Sequence, residues 1–219
     1  MKAVLFDLDE TILDRSASLK DFVSWQTRGM LRSEVRDENL FTKRFIQLDA
    51  NGTVWKDEVY QTLVSEFAIS GWSVRELLTS YELCFSGFCK PKKGEIEAIK
   101  TIHKMGKRFA LVSNGRSPFQ ERNFNSLGIS HLFDAVIVSE AVGLRKPDPA
   151  IFKLACKRLG VEPRTAIFVG DNPLVDIRGA KKAGMYGIYI PSHYGDKCDE
   201  ADVTCEVFQA LPNMIENAH

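Results

Sequence analysis

Val4-Leu5-Phe6-Asp7-Leu8-Asp9-Glu10-Thr11-Ile12 is the stretch on which the reading of this 219-residue chain turns. It begins as an apolar run and ends in two aspartates one residue apart. The segment from Lys2 to Phe6 lacks polar alternation, which fits a short strand buried on both faces in a parallel sheet. Asp7 and Asp9 then fall at its C-terminal end, where open α/β sheets place their ligands. Two carboxylates held close together repel, and a divalent cation or a shared proton relieves them. Taken alone, the same residues also suit a strand followed by an Asp-rich turn or a helix cap.

From about Leu19 to Phe88 the texture changes. Leu13 to Ser18 reads as a polar turn, and Leu19, Phe22, Val23, Trp25, Gln26 and Met30 then recur at helical spacing. A second helix is predicted over roughly Glu34 to Leu48, with Leu40, Phe41, Phe45 and Leu48 on one side. Asn51-Gly52 marks a turn. Two further amphipathic helices follow, Val54 to Phe67 and Ser73 to Phe85, the latter opened by a Ser73/Glu76 capping box. The region reads as an all-helical insert covering residues 16–90.

After Pro91, strands alternate with helices. The predicted strands are Arg108 to Val112, Ala135 to Ser139, Thr165 to Val169 and Tyr186 to Ile190, with an edge strand near Val203 to Cys205. Helices are predicted over Gly94 to Met105, Pro118 to Leu127, Pro149 to Leu159, Leu174 to Ala183 and after Val207. Such alternation implies right-handed crossovers and a parallel sheet. The fold class is α/β, a Rossmann-like doubly wound core (1–15 and 91–219) interrupted by the helical insert.

Bulk properties remove several function classes. Lys plus Arg and Asp plus Glu are equal at 29 each, so no global field recruits nucleic acid or an anionic membrane. No basic segment followed by a long apolar one opens the chain, and no apolar run approaches the roughly 20 residues that span a bilayer. The five cysteines show no CxxC spacing, which fits a reduced, cytoplasmic protein without a zinc site. A monomer or weak homodimer is expected.

Polar groups recur at the predicted strand ends: Asp7 and Asp9, then Ser113 and Asn114, then Asp171. A doubly wound sheet gathers those ends on one rim, and Lys146 sits on a loop able to reach it. Oxygen ligands without His or Cys suit a hard cation, of which Mg²⁺ is the natural choice. A hydroxyl, an amine and free backbone N–H groups suit a phosphoryl group. Individually, Ser113 also suits a helix cap, Lys146 a solvated surface residue and Asp176 a first-turn acid.

These residues together resemble the haloacid dehalogenase (HAD) superfamily. Phe6-Asp7-Leu8-Asp9-Glu10-Thr11 is similar to its first motif and Ser113-Asn114-Gly115 to its second. Lys146-Pro147-Asp148-Pro149 resembles the third, and Gly170-Asp171-Asn172-Pro173-Leu174-Val175-Asp176 the fourth. The helical insert resembles the C1-type cap of the phosphatase-like subgroup that includes phosphoglycolate phosphatases and nucleotidases. The resemblance implies that Asp7 is the nucleophile and Asp9 the general acid/base. It implies that Mg²⁺ is held by Asp7, the backbone carbonyl of Asp9 and Asp171, with Asp176 supporting that site. Ser113, Asn114 and Lys146 would bind the phosphoryl group.

The implied activity is hydrolysis of a small phosphomonoester, such as a sugar phosphate or nucleoside monophosphate. A phosphomutase acting on a sugar phosphate is the alternative, and a non-catalytic binding protein on the same scaffold a more distant one. Glu10 departs from the glycine or asparagine often found at its place. The acid at position 9 argues against dehalogenation and phosphonate hydrolysis. Trp55 and Lys56, after the Asn51-Gly52 turn, and Arg116, beside the phosphate loop, are candidate substrate contacts. Each has a plainer reading, Trp55 packed in the bundle and Lys56 and Arg116 in solvent.

Overall fold

The inner strands of this chain are apolar on both faces, and among the described residues the sheet that results is parallel throughout. The computed structural model describes residues 1–218. In chain order its elements are β1 (Ala3–Phe6), α1 (Arg15–Gly29), α2 (Glu38–Asp49), α3 (Lys56–Glu66), α4 (Val74–Cys84), α5 (Glu95–Lys104), β2 (Arg108–Ser113), α6 (Phe119–Ser126) and β3 (Ala135–Val138). There follow α7 (Ser139–Val142), α8 (Pro149–Leu159), β4 (Ala166–Gly170), α9 (Arg178–Lys182), β5 (Tyr186–Tyr189), β6 (Val203–Thr204) and α10 (Leu211–Asn217).

The chain divides into two compact units, Met1–Asp14 together with the chain from Pro91 onward, and Arg15–Lys90. The first unit is a doubly wound α/β fold with strand order β3-β2-β1-β4-β5-β6. β1 pairs in parallel with both β2 and β4, so the order reverses beside it. That reversal is the topological switch point, where ligands enter such sheets. On one sheet face Leu5, Val112, Ile137 and Phe168 pack with Ile151, Phe152 and Ala155 of α8. The other carries an aromatic cluster in which Phe6 and Phe109 meet edge to face at 5.6 Å and Phe124 and Phe133 at 4.8 Å.

The second unit contains α1 to α4, with Phe22, Phe41, Phe45, Tyr60, Leu77 and Tyr81 in its core. Several local expectations need correction. The polar stretch before Leu19 is no turn beyond Asp14, because α1 begins at Arg15. α2 starts at Glu38 rather than near Glu34, because Asp37 accepts from the Leu40 N–H at 2.9 Å and caps the helix there. Leu40 is consequently exposed, about 100° around the helix from the Phe41/Phe45 stripe. Trp25 is 41% exposed, resting on Phe22 and Phe88 at the surface. The Ser73/Glu76 capping box is formed as read.

In the same unit Lys56 is only 1% exposed, so it is not a solvated side chain. It ion-pairs with buried Asp49, which also takes a two-pronged bond from Arg15 at 2.8 and 2.9 Å. Burial would raise the Asp49 pKa, but Arg15 and Lys56 outweigh it and hold the carboxyl below its ordinary range. The Lys56 ammonium also lies 6.0 Å from the Trp55 ring centre and 5.4 Å from that of Tyr81.

Candidate active site

Asp7 is the first residue beyond β1, and its N–H still donates to the Val169 carbonyl at 3.0 Å. This bond fixes its backbone in the sheet register while its buried side chain leaves the rim. The turn that follows is tight. Ile12 and Leu13 both donate to the Leu8 carbonyl, at 3.0 and 2.9 Å, and Glu10 donates to Leu13 at 2.8 Å. Glu10 sits at φ 58° inside this turn, a left-handed conformation that glycine and asparagine adopt more readily. Lys92 reaches its carboxylate at 3.4 Å.

β4 ends in Gly170, and Asp171 follows. A Cβ at position 170 would stand 2.6 Å from the Asp176 Cβ, so glycine there makes room for that acid. Beyond it the chain makes one π turn over Pro173–Ile177 before α9, instead of one continuous helix from Leu174. Asn172 initiates the turn by accepting from Leu174 and Val175 at 3.0 and 2.9 Å. The Asn172 N–H in turn donates to Asp176 Oδ2 at 3.1 Å. Such single π turns are frequent at functional sites.

The result is a buried group of three carboxylates. Oxygen atoms of Asp7, Asp171 and Asp176 lie within 4.8 Å of one another. Lys146, itself buried, places its ammonium 2.5 Å from Asp7 and 2.7 Å from Asp176. Burial alone would lower the lysine pKa, but Asp176 and Asp7 overcome that and raise it, so the ammonium stays charged. The acids move the other way. Burial raises the Asp7 pKa above the usual carboxylate range, with Asp176 and Asp9 adding to the rise against the pull of Lys146. Asp171 is raised by burial and then by Asp7 and Asp176. When ionised, three acids facing one lysine carry an excess of negative charge that a hard dication, bound by oxygens, would relieve. The donor set fits Mg²⁺.

Asp9 points its carboxylate elsewhere. Its Oδ2 accepts from the Gln120 amide at 2.7 Å, and the same amide nitrogen donates to Ser113 Oγ at 3.0 Å. Ser113 is therefore not the cap of α6, whose N-terminus is at Pro118. Asn114 and Lys146 are joined by two bonds: Asn114 Nδ2 donates to the Lys146 carbonyl at 3.0 Å, and the Lys146 N–H donates to Asn114 Oδ1 at 2.9 Å. This clamp holds the lysine loop against the end of β2. Asp148 caps α8 by accepting from Ala150 at 2.9 Å.

The first unit thus gathers Asp7, Asp9, Ser113, Asn114, Lys146, Asp171 and Asp176 along one rim. Arg116 is exposed on the loop between β2 and α6, and Trp55 and Lys56 belong to the helical unit. Sequence reading passed over Gln120, Ser139 and Tyr194. Ser139 Oγ accepts from the Gly115 N–H at 3.0 Å and so steadies the loop carrying Asn114. Tyr194, on the loop after β5, has its phenol pKa raised by partial burial and then by nearby Asp171. The available signal for Gln120 was its place with Asn123 on one face of a helix, three positions apart, next to apolar Phe119 and Phe124. No helix among the described residues is long and apolar enough to cross a membrane.

Known proteins place these features in a family. Glyceraldehyde 3-phosphate phosphatase of Methanopyrus kandleri is 30% identical over 196 residues, spanning 87% of this chain and 84% of that protein. The structure of a HAD phosphatase from Thermococcus onnurineus matches at TM-score 0.70 and 26% identity, with 98% of each chain covered. A HAD-type hydrolase of Bacillus subtilis bound to magnesium shares the fold at TM-score 0.80 and 20% identity over 99% of each chain. The family model that matches residues 1–184 runs from the first strand through every strand end that carries an acid, and the chain belongs to the haloacid dehalogenase-like hydrolases.

Proposed function

We propose that this protein is a Mg²⁺-dependent phosphatase that hydrolyses a small phosphomonoester through an aspartyl phosphate on Asp7. The observation carrying this reading is the separation of the two aspartates of the first stretch. Asp7 faces two further carboxylates and Lys146, whereas the Asp9 carboxylate is held apart by Gln120. This separation supports Asp7 as metal ligand and nucleophile and Asp9 as the group that transfers the proton.

Asp7, Asp171 and the Asp9 backbone carbonyl would hold the cation, with Asp176 beside them. When bound, it neutralises repulsion between the Asp7 carboxylate and the phosphate oxygens. In the first step a carboxylate oxygen of Asp7 bonds to phosphorus as the bond from phosphorus to the ester oxygen breaks. Asp9 gives its proton to that departing oxygen, which leaves as the alcohol. In the second step Asp9 takes a proton from water, the water oxygen bonds to phosphorus, and the Asp7–phosphorus bond breaks to release phosphate. Lys146 and the Ser113 hydroxyl supply positive charge and a donor where charge accumulates on the phosphoryl oxygens.

We read the helical unit Arg15–Lys90 as the part that sets substrate choice. Release of inorganic phosphate from a panel of sugar phosphates, triose phosphates and nucleoside monophosphates tests the reading, with and without Mg²⁺. Triose phosphates belong in it because the Methanopyrus relative is named for one. Asp7→Asn is expected to abolish release while the protein stays folded; substantial residual turnover would remove Asp7 as nucleophile. Interconversion of sugar phosphates with little free phosphate would favour a mutase instead.

A further inference from the structure

We propose that Gln120 is a positioning residue that directs the Asp9 carboxyl and the Ser113 hydroxyl toward the reacting phosphate ester, a role that rests on the phosphatase reading. A primary amide nitrogen has two N–H bonds. Here one is given to Asp9 Oδ2 at 2.7 Å and the other to Ser113 Oγ at 3.0 Å, with a longer approach to the Asn114 carbonyl at 3.4 Å. Gln120 is 4% exposed and Asn123 is 1% exposed, so water does not compete freely for these bonds.

The amide is held one way round. Its Oε1 accepts from Asn123 Nδ2 at 3.3 Å. Turning it over would face that oxygen toward the Asp9 carboxylate, acceptor against acceptor. Gly115 supplies the space, because a Cβ there would lie 2.6 Å from Gln120 Cγ.

Two consequences follow for the chemistry. Asp9 Oδ2 is occupied as an acceptor, so the Gln120 amide fixes the orientation of the carboxyl that passes a proton to the leaving group. Ser113 Oγ already accepts one bond, so its own proton points away from Gln120 and is available to a phosphoryl oxygen. A single amide thus sets both the proton donor and one phosphate donor, and it is a residue to which the acid/base reading alone gives no part.

The test compares hydrolysis of phenyl phosphate and p-nitrophenyl phosphate by the full-length protein with Mg²⁺. Phenol is the poorer leaving group and depends more on protonation. Gln120→Met keeps the side-chain length and removes both donors. Its expected loss in kcat/KM, which reports the step that expels the leaving group, is roughly ten-fold greater on phenyl phosphate than on p-nitrophenyl phosphate, within the usual reach of general acid catalysis. In an Asp9→Asn background the same substitution is expected to add no further discrimination between the two esters.

Equal losses on both esters would make Gln120 merely structural and overturn its role, leaving the phosphatase reading intact. Wild-type protein that releases phosphate from neither ester overturns both. If Gln120→Met does not fold, Gln120→Glu, which keeps the side-chain shape and sets an acceptor in place of the donor facing Asp9 and Ser113, carries the same test: a several-fold larger loss on phenyl phosphate supports the role, and equal or no losses overturn it.

Discussion

Glu95, at the start of α5, is fully buried, and neither carboxylate oxygen has a hydrogen-bond partner among the described residues. Burial lifts its pKa from 4.5 to about 8. Between those values the folded protein keeps a proton that the unfolded chain has released, so stability falls as pH rises. The limiting slope is about 1.4 kcal/mol per pH unit for one proton. Between pH 5 and pH 7.5 the two titration curves give a loss of about 3 kcal/mol from this group.

Glu95→Gln removes that titration. Whatever the buried amide itself costs is the same at both pH values, and every other titrating group is common to the two proteins. The stability difference between variant and wild type is therefore expected to shift by about 3 kcal/mol in favour of the variant from pH 5 to pH 7.5. Urea denaturation at both pH values reads it directly. A difference unchanged with pH would mean that the carboxyl titrates normally, and the claim that it is dry would fall.

Other expectations concern the acid cluster, the helical unit and the first turn. Mg²⁺ at a hundred times its Kd is expected to stabilise the protein by about 2.7 kcal/mol, read as a rise in Tm that Asp171→Asn largely removes; an equal rise in the variant would place the ion elsewhere. Asp49→Ala takes away the carboxylate that Arg15 and Lys56 share and is expected to destabilise by about 3–5 kcal/mol, measured as a fall in the urea midpoint. Because the Asp49 pKa is depressed, its contribution is full above the unfolded pKa and is lost as pH falls through the folded one. Glu10→Gly relieves a left-handed residue at φ 58° and is expected to raise stability by roughly 0.5–1 kcal/mol after the greater chain entropy of glycine is set against it. A loss in that variant would show that the Lys92 ion pair outweighs the backbone strain.

The strands were legible because burial on both faces leaves little choice of residue, as in Arg-Phe-Ala-Leu-Val at 108–112. Asp7, Ser113 and Asp171 were legible for a related reason: their positions relative to a strand end follow from the backbone, which local pattern predicts well. What escaped is what depends on partners distant in sequence. Gln120 meets Asp9 across 111 residues, and in a helix a glutamine ordinarily reads as solvent-facing. Lys56 reads as solvated until Asp49 and Arg15, the latter 34 residues from its aspartate, are brought together around it. Glu10 lies between these cases. Its oddity beside two aspartates is visible in sequence, but only the backbone turn between Leu8 and Leu13 explains why glycine or asparagine would suit the place better. The same distinction bears on where specificity resides. The rim is built from backbone-dictated positions that any member of this fold can reuse, whereas the contacts that orient Asp9 depend on an amide specified by α6. A change at position 120 therefore leaves every family motif in place and still removes the hydrogen bond that holds the Asp9 carboxylate.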